Sequence, residues 1–209
     1  VSLWYYSGLD LGQASDFSAL VVVESFSARL AARHLHRWPL GTPYTGIVAD
    51  LKAMYAAGPL AGSSLVIDAT GVGRAVVDMV RKGGINATTR AYTITAGIQP
   101  GDGTVPKKDL VGAVQAMLGQ RRIDFAEGLE LTPVLVKELE AFRVKVTADR
   151  NETFAAWRER DHDDLVLALA LAVWYATKVG GGGSSPPNSN RPRSPLDGLP
   201  AGTFSGGIR

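Results

Sequence analysis

At 209 residues the chain suits one domain with appendages, and an apolar fraction of 45% allows a sizeable core. Cysteine is absent, which excludes disulfides, thiolate zinc sites and a cysteine nucleophile. The net charge of +2 sits in residues 180–209 (Arg191, Arg193 and Arg209 against Asp197). The 19 basic and 19 acidic residues of the remainder balance, so charge alone does not announce a nucleic-acid binder.

In chain order, residues 3–11, 18–26 and 29–38 predict three strands rich in β-branched and aromatic residues. The loops between them are short, which favours antiparallel neighbours. Leu20-Val21-Val22-Val23 is apolar on both faces, as a central strand should be. Residues 44–57 then take helical spacing (Ile47, Leu51, Met54, Tyr55) and stop at Gly58-Pro59. A strand over 64–68, a helix over 73–82, a strand over 90–95 and a helix over 107–120 follow. This alternation implies parallel, right-handed crossovers. Residues 130–142 predict a helix, and 143–147 with 153–158 a hairpin. The helix over 163–177 is apolar nearly all round, so it belongs against the sheet. The expected architecture is α/β: a mixed five-stranded sheet, three antiparallel strands then parallel βαβ, with helices on both faces and an accessory hairpin.

From Gly180 the composition turns to Gly, Pro, Ser and Asn, which cannot bury enough apolar surface to order itself. Residues 1–179 are therefore the expected folded domain and 180–209 a flexible tail. No internal repeat or signal peptide is visible, and the longest apolar helical run, about 165–176, is too short to span a bilayer. A chain that opens on Val1 directly before a strand reads as part of a longer polypeptide.

Acids in apolar surroundings point to chemistry. Asp10 lies within the first strand, Asp68 closes the strand over 64–68, and Asp163 with Asp164 opens the apolar helix. A carboxylate against a buried surface costs several kcal/mol unless it is paired or holds a metal. Each also has a bland reading. Asp163 is a good N-cap, Asp164 suits the helix dipole, and Asp68 before Ala-Thr-Gly suits a turn. Asp10 between Leu9 and Leu11 has poor strand propensity. Strand ends near a switch in strand order are where open α/β sheets bind ligands. Three carboxylates meeting there would suit Mg²⁺ or Mn²⁺. Two such ions, roughly 4 Å apart, orient a water for in-line phosphoryl displacement.

Gly8-Leu9-Asp10-Leu11-Gly12, Val66-Ile67-Asp68-Ala69-Thr70-Gly71 and His162-Asp163-Asp164-Leu165-Val166-Leu167-Ala168-Leu169-Ala170 carry a resemblance. In this order they resemble the nuclease domain of the large terminase subunit of tailed double-stranded DNA phages. The resemblance covers roughly residues 3–178 and implies a ribonuclease H-like (resolvase-like) fold. It further implies a metal-dependent endonuclease that cuts concatemeric viral DNA with two divalent ions, Mg²⁺ or Mn²⁺. Asp10 and Asp68 would be the first two metal ligands. The third opens the last helix, where Asp164 is favoured as direct ligand, with Asp163 beside it or on the other ion. His162 would orient a water or the leaving group, or lie in a solvated loop. The implied partners are double-stranded DNA, a separate N-terminal ATPase motor domain, the portal and the small terminase subunit, in the host cytoplasm during virus assembly. No GxxxxGK[S/T] loop is present, so ATP hydrolysis by that route is not expected from this chain.

Further candidates are weaker. Asp16 reads as a turn residue or an outer partner of the metal site. Lys107, Lys108, Arg121 and Arg122 bracket one helix and either track phosphates or solvate its ends. Arg74 would approach the metal edge, and Arg150 would tip a hairpin over the cleft. His34 and His36 are expected to face solvent. Rival readings keep the acidic cluster and change the substrate (a junction resolvase, a transposase or an RNA–DNA hybrid nuclease), or make the chain a non-catalytic portal-docking domain. An actin-like ATPase would need a second such domain.

Overall fold

In this computed structural model the described residues are 4–12, 16–71, 73–96, 101–148 and 163–180, with side chains omitted for 73–74, 142–148 and 180. Three strands, β1 (Trp4–Asp10), β2 (Ala19–Phe26) and β3 (Arg29–Arg37), form the antiparallel meander. Only Ser27 and Ala28 join β2 to β3, both at positive φ (45° and 63°), the primed hairpin turn that matches strand twist. Helix α1 (Tyr44–Tyr55) crosses over to β4 (Ser63–Asp68), which pairs parallel with β1. Helix α2 (Gly73–Lys82) leads to β5 (Ala87–Thr95), parallel to β4. The chain continues through β6 (Thr104–Pro106), α3 (Lys107–Gly119), β7 (Ile123–Phe125), α4 (Thr132–Ala148) and α5 (Asp164–Gly180).

The sheet order is β6-β5-β4-β1-β2-β3-β7. The five expected strands are its centre, and the three-residue strands β6 and β7 widen it at both edges. Strands that short carry too little periodicity to be read from sequence. The expected hairpin is corrected: residues 143–147 continue α4 as helix. No Gly or Pro follows Pro133 before Ala148, so nothing ends the helical ladder where the alternation begins. The second arm, 153–158, lies outside the described residues, as does the tail beyond Gly180.

Alternation splits the core in two. Tyr6, Val21, Val23 and Val66 face α3, α4 and α5, whereas Tyr5, Leu9, Leu20, Val22, Leu65 and Ile67 face α1 and α2. Residues 165–176 of α5 are all buried, so this helix is the centre of its layer. A fully buried aliphatic side chain contributes about 1.5–3 kcal/mol, which seats the helix firmly.

The path of α5 over the sheet follows from two contacts. The Tyr6 and Tyr175 rings meet edge to face at 6.1 Å. Gly8 lies against Ala168 and Ala172, so close that a Cβ there would stand 1.9 Å from the Ala168 carbonyl oxygen. Going up β1 thus means going down α5. Two strand residues advance about 6.6 Å and one helical turn about 5.4 Å. Beyond Gly8 the next residue on this face is Asp10, and one turn before Ala168 is Asp164.

Candidate active site

The parallel register Gly8↔Val66 and Leu9↔Ile67, continued one step, sets Asp10 beside Asp68 on neighbouring strands. Such strands lie about 4.8 Å apart. Both acids point to the α5 face, because Tyr6 and Val66 do and side chains alternate. Two carboxylates at adjacent strand ends and the start of α5 therefore share one edge of the sheet.

Their environments differ. Asp68 is 2% exposed and its Oδ1 accepts the Thr70 N–H at 2.7 Å, the turn geometry expected of an Asp in this position. Asp164 is 3% exposed, with Oδ2 3.9 Å from Arg37 Nη1. Asp163 is half-buried and its carbonyl accepts the Leu167 N–H at 2.9 Å, so it occupies the N-cap position. Asp10 is half-buried. Among the described residues no three His, Asp or Glu side chains converge tightly enough to hold a metal ion. Backbone placement brings the acids to one edge, while Thr70 and Arg37 engage the two most buried carboxylates. Carboxylates repel one another at short range, which favours such separate partners. The donor set itself, all carboxylate oxygen from three elements, fits a hard divalent cation.

Arg37 and Glu138, both beside Asp164, did not stand out in the sequence. Glu138 on α4 is 7% exposed; its Oε2 accepts the Val166 N–H at 3.0 Å and its Oε1 the Arg37 Nη1–H at 3.3 Å. It thus satisfies an amide in the first turn of α5 that an N-cap side chain commonly takes. Burial pushes the Glu138 carboxyl up to about 7; the Val166 N–H pulls it back, the Asp164 charge adds to the rise, and Arg37 opposes it. The Arg37 guanidinium also lies 4.2 Å from the Phe17 ring centroid, on the β1–β2 connection. A signal for Glu138 was present: with Leu131, Leu135 and Phe142 it falls on the apolar stripe of its helix. Nothing in the sequence marks Arg37.

The remaining candidates scatter. Asp16 is exposed where the β1–β2 connection returns against Gly12. Lys107 and Lys108 begin α3 at the sheet edge where β4, β5 and β6 end, the edge of Asp68. Arg121 and Arg122 follow its other end, about 20 Å away by helix length, so the two pairs lie at opposite edges. Arg122 donates to the Ala28 carbonyl through Nε (2.8 Å) and Nη2, clamping the β2–β3 turn. Arg74 lies in the first turn of α2, while Arg150 and His162 fall outside the described residues. His34 and His36 are half-buried rather than solvent-facing, their rings stacked 6.1 Å apart on the sheet face opposite Leu35. Burial pushes His34 down to about 4, with His36 adding to the fall.

The meander, the parallel crossovers and the acidic edge define a ribonuclease H-like nuclease fold, and solved structures agree. The large terminase nuclease from thermophilic phage G20c, solved with bound magnesium, superposes with a TM-score of 0.57 at 23% identity, over 82% of this chain and 81% of that one. The large terminase nuclease domain from bacteriophage SPP1, with bound Mn, gives 0.51 at 14% identity, over 85% and 86%. The human cytomegalovirus terminase nuclease domain, Mn soaked, gives 0.50 at 13% identity, over 84% and 86%. No curated protein matches. The family model described as the terminase RNaseH-like domain matches residues 7–175, and the chain belongs to that family.

Proposed function

We propose that this domain is a metal-dependent DNA endonuclease that cleaves concatemeric viral DNA during genome packaging. The observation that carries the proposal is the shared edge: Asp10 and Asp68 at neighbouring parallel strand ends, with Asp164 at the N-terminus of the helix packed over them. In this reading Asp10, Asp68 and Asp164 hold two Mg²⁺ or Mn²⁺ ions, and Asp163 assists from the N-cap. Bound there, the ions would supply an activated water and neutralise charge at the scissile phosphate. The protein's part is to fix three carboxylates on three rigid elements and to shield one side of them with α5. Arg37, engaged by Glu138 and Asp164, belongs to this scaffold rather than to the DNA contacts.

The substrate would be duplex DNA gripped mainly through phosphates, with Lys107 and Lys108 at the right edge to meet one strand. Motor domain, portal and small terminase subunit would supply the remaining grip, in the host cytoplasm. Among the described residues no helix is long and apolar enough to cross a membrane.

The test is cleavage of linear duplex, branched DNA and RNA–DNA hybrid side by side, with Mn²⁺ or Mg²⁺. Asp10→Asn and Asp68→Asn are expected to lose duplex cleavage by about a thousandfold, since a metal supplies several kcal/mol and 1.36 kcal/mol is tenfold. Cutting by either variant at the wild-type rate would sink the assignment. Preference for branched DNA or hybrid would move the domain to a resolvase or hybrid nuclease.

A further inference from the structure

Beside Asp164, the buried Glu138 is paired with the half-buried Arg37. A buried ion pair is weak evidence for stability, because apolar side chains of similar volume commonly do as well or better. The stripe on α4 that carries Glu138 is otherwise apolar, and Leu135 on it is fully buried. A leucine at 138 would complete that seam but would leave the buried Val166 N–H without its acceptor. Stability accounts for an acceptor at this position, but not for the charge that engages Arg37.

Its contacts indicate another role. One Glu138 oxygen accepts the Val166 N–H and pins the first turn of α5, two residues beyond Asp164. The other accepts from Arg37, whose Nη1 also lies 3.9 Å from the Asp164 carboxylate. Arg37 closes β3, and its guanidinium covers Phe17. Four elements are thereby tied at one point: the β1–β2 connection, β3, α4 and α5. Asp164 is the ligand candidate that comes from a helix rather than from a sheet strand, so its position relative to Asp10 and Asp68 depends on such ties. A metal site needs its ligands held within about 0.5 Å of the productive geometry.

We infer that Glu138, acting with Arg37, is a positioning residue that fixes Asp164 and the first turn of α5 for cation binding. The inference rests on the metal-site reading of the previous subsection. Glu138 touches no ligand position itself and acts through Asp164. Outer partners of this kind are worth about 10–100-fold in metal affinity.

Two variants test it. Glu138→Gln keeps an oxygen for the Val166 N–H but loses the charge that engages Arg37, and Glu138→Ala loses both. Mn²⁺ affinity is measured by titration calorimetry, turnover as a function of Mn²⁺ concentration, and amide exchange at Val166 and Leu167 in metal-free protein. The expected result is a Kd for Mn²⁺ raised about tenfold in Glu138→Gln and further in Glu138→Ala. Turnover at saturating Mn²⁺ stays within about threefold, and exchange at the α5 start is faster in Glu138→Ala. A merely structural role would lower the melting temperature without shifting Kd. Wild-type Mn²⁺ affinity in both variants overturns the inference and leaves the nuclease assignment standing. Failure of the wild-type protein itself to bind Mn²⁺ overturns that assignment and this inference together.

Discussion

The two ends of one sheet both bury an acid, and they do so differently. At the end where β1 begins, Glu24 is 4% exposed; Tyr5 donates its hydroxyl to Oε1 at 3.0 Å, and Arg33 donates Nε–H to Oε2 at 2.6 Å. One acid faces two donors, and the account closes. At the end where β1 and β4 finish, Asp10, Asp68, Asp164 and Glu138 share an edge, and Arg37 serves two of them. A buried carboxylate is thus no signature of chemistry. Several acids gathered at one edge, from neighbouring strand ends and a helix N-terminus, are the stronger sign.

Gly8 offers the largest break of this contrast, because it sets the distance between β1 and α5 midway between the ends. A Cβ there would stand 1.9 Å from the Ala168 carbonyl oxygen and 2.9 Å from the Ala172 nitrogen, both helix backbone. Gly8→Val is expected to destabilise the domain by more than about 3 kcal/mol, since α5 must lift away from the sheet. Denaturant unfolding checks this, and a loss below about 1 kcal/mol would mean that α5 is not seated on Gly8.

Glu24→Ala is the next test. It removes the Glu24 oxygen that accepts from the Tyr5 hydroxyl, while Arg33 is exposed enough to hydrate. The expected cost is about 2 kcal/mol, with Mn²⁺ affinity unchanged. Asp68→Asn should do the reverse: it keeps an oxygen for the Thr70 N–H, stays within about 1 kcal/mol of wild-type stability, and loses the cation. Equal stability losses in the two variants would erase the distinction between the ends.

Much of this contrast was legible in the sequence. The meander, the parallel crossovers and the buried last helix follow from runs long enough to show their period, and α2 begins and ends at the expected residues 73 and 82. Asp10 and Asp68 stood out because an acid in an apolar strand has few structural reasons. Glu24 did not, because it follows Val23 near a strand end, and its partners Tyr5 and Arg33 are adjacent only across the sheet. Arg37 and Glu138 are 101 residues apart, and their pairing depends on how α4 leans on α5. Strand alternation over 143–147 misled because Arg143-Val144-Lys145-Val146-Thr147 fits either period over so few residues, and the helix already under way prevails.

A smaller effect sharpens the same contrast from the opposite face. His34 and His36 lie on the α1/α2 side of the sheet, the face opposite the acids, and burial lowers the His34 pKa from 6.5 to about 4. Between those values the unfolded chain binds a proton that the folded protein resists. The His34 contribution is therefore intact above pH 6.5 and lost as pH falls toward 4. Because His34 is only half-buried, solvent screening reduces this to about 1 kcal/mol. Glu138 works the other way: its carboxyl is raised from 4.5 to about 7, so its proton-linked stability is present at low pH and lost as pH rises through that window. The two slopes oppose each other, and the informative quantity is the difference between wild type and His34→Gln. That difference is expected to grow in favour of the variant from pH 6.5 down to 4, with Mn²⁺ affinity at pH 7.5 unaltered. Parallel stability curves for the two proteins across this range would show that His34 titrates as it does in an unfolded chain.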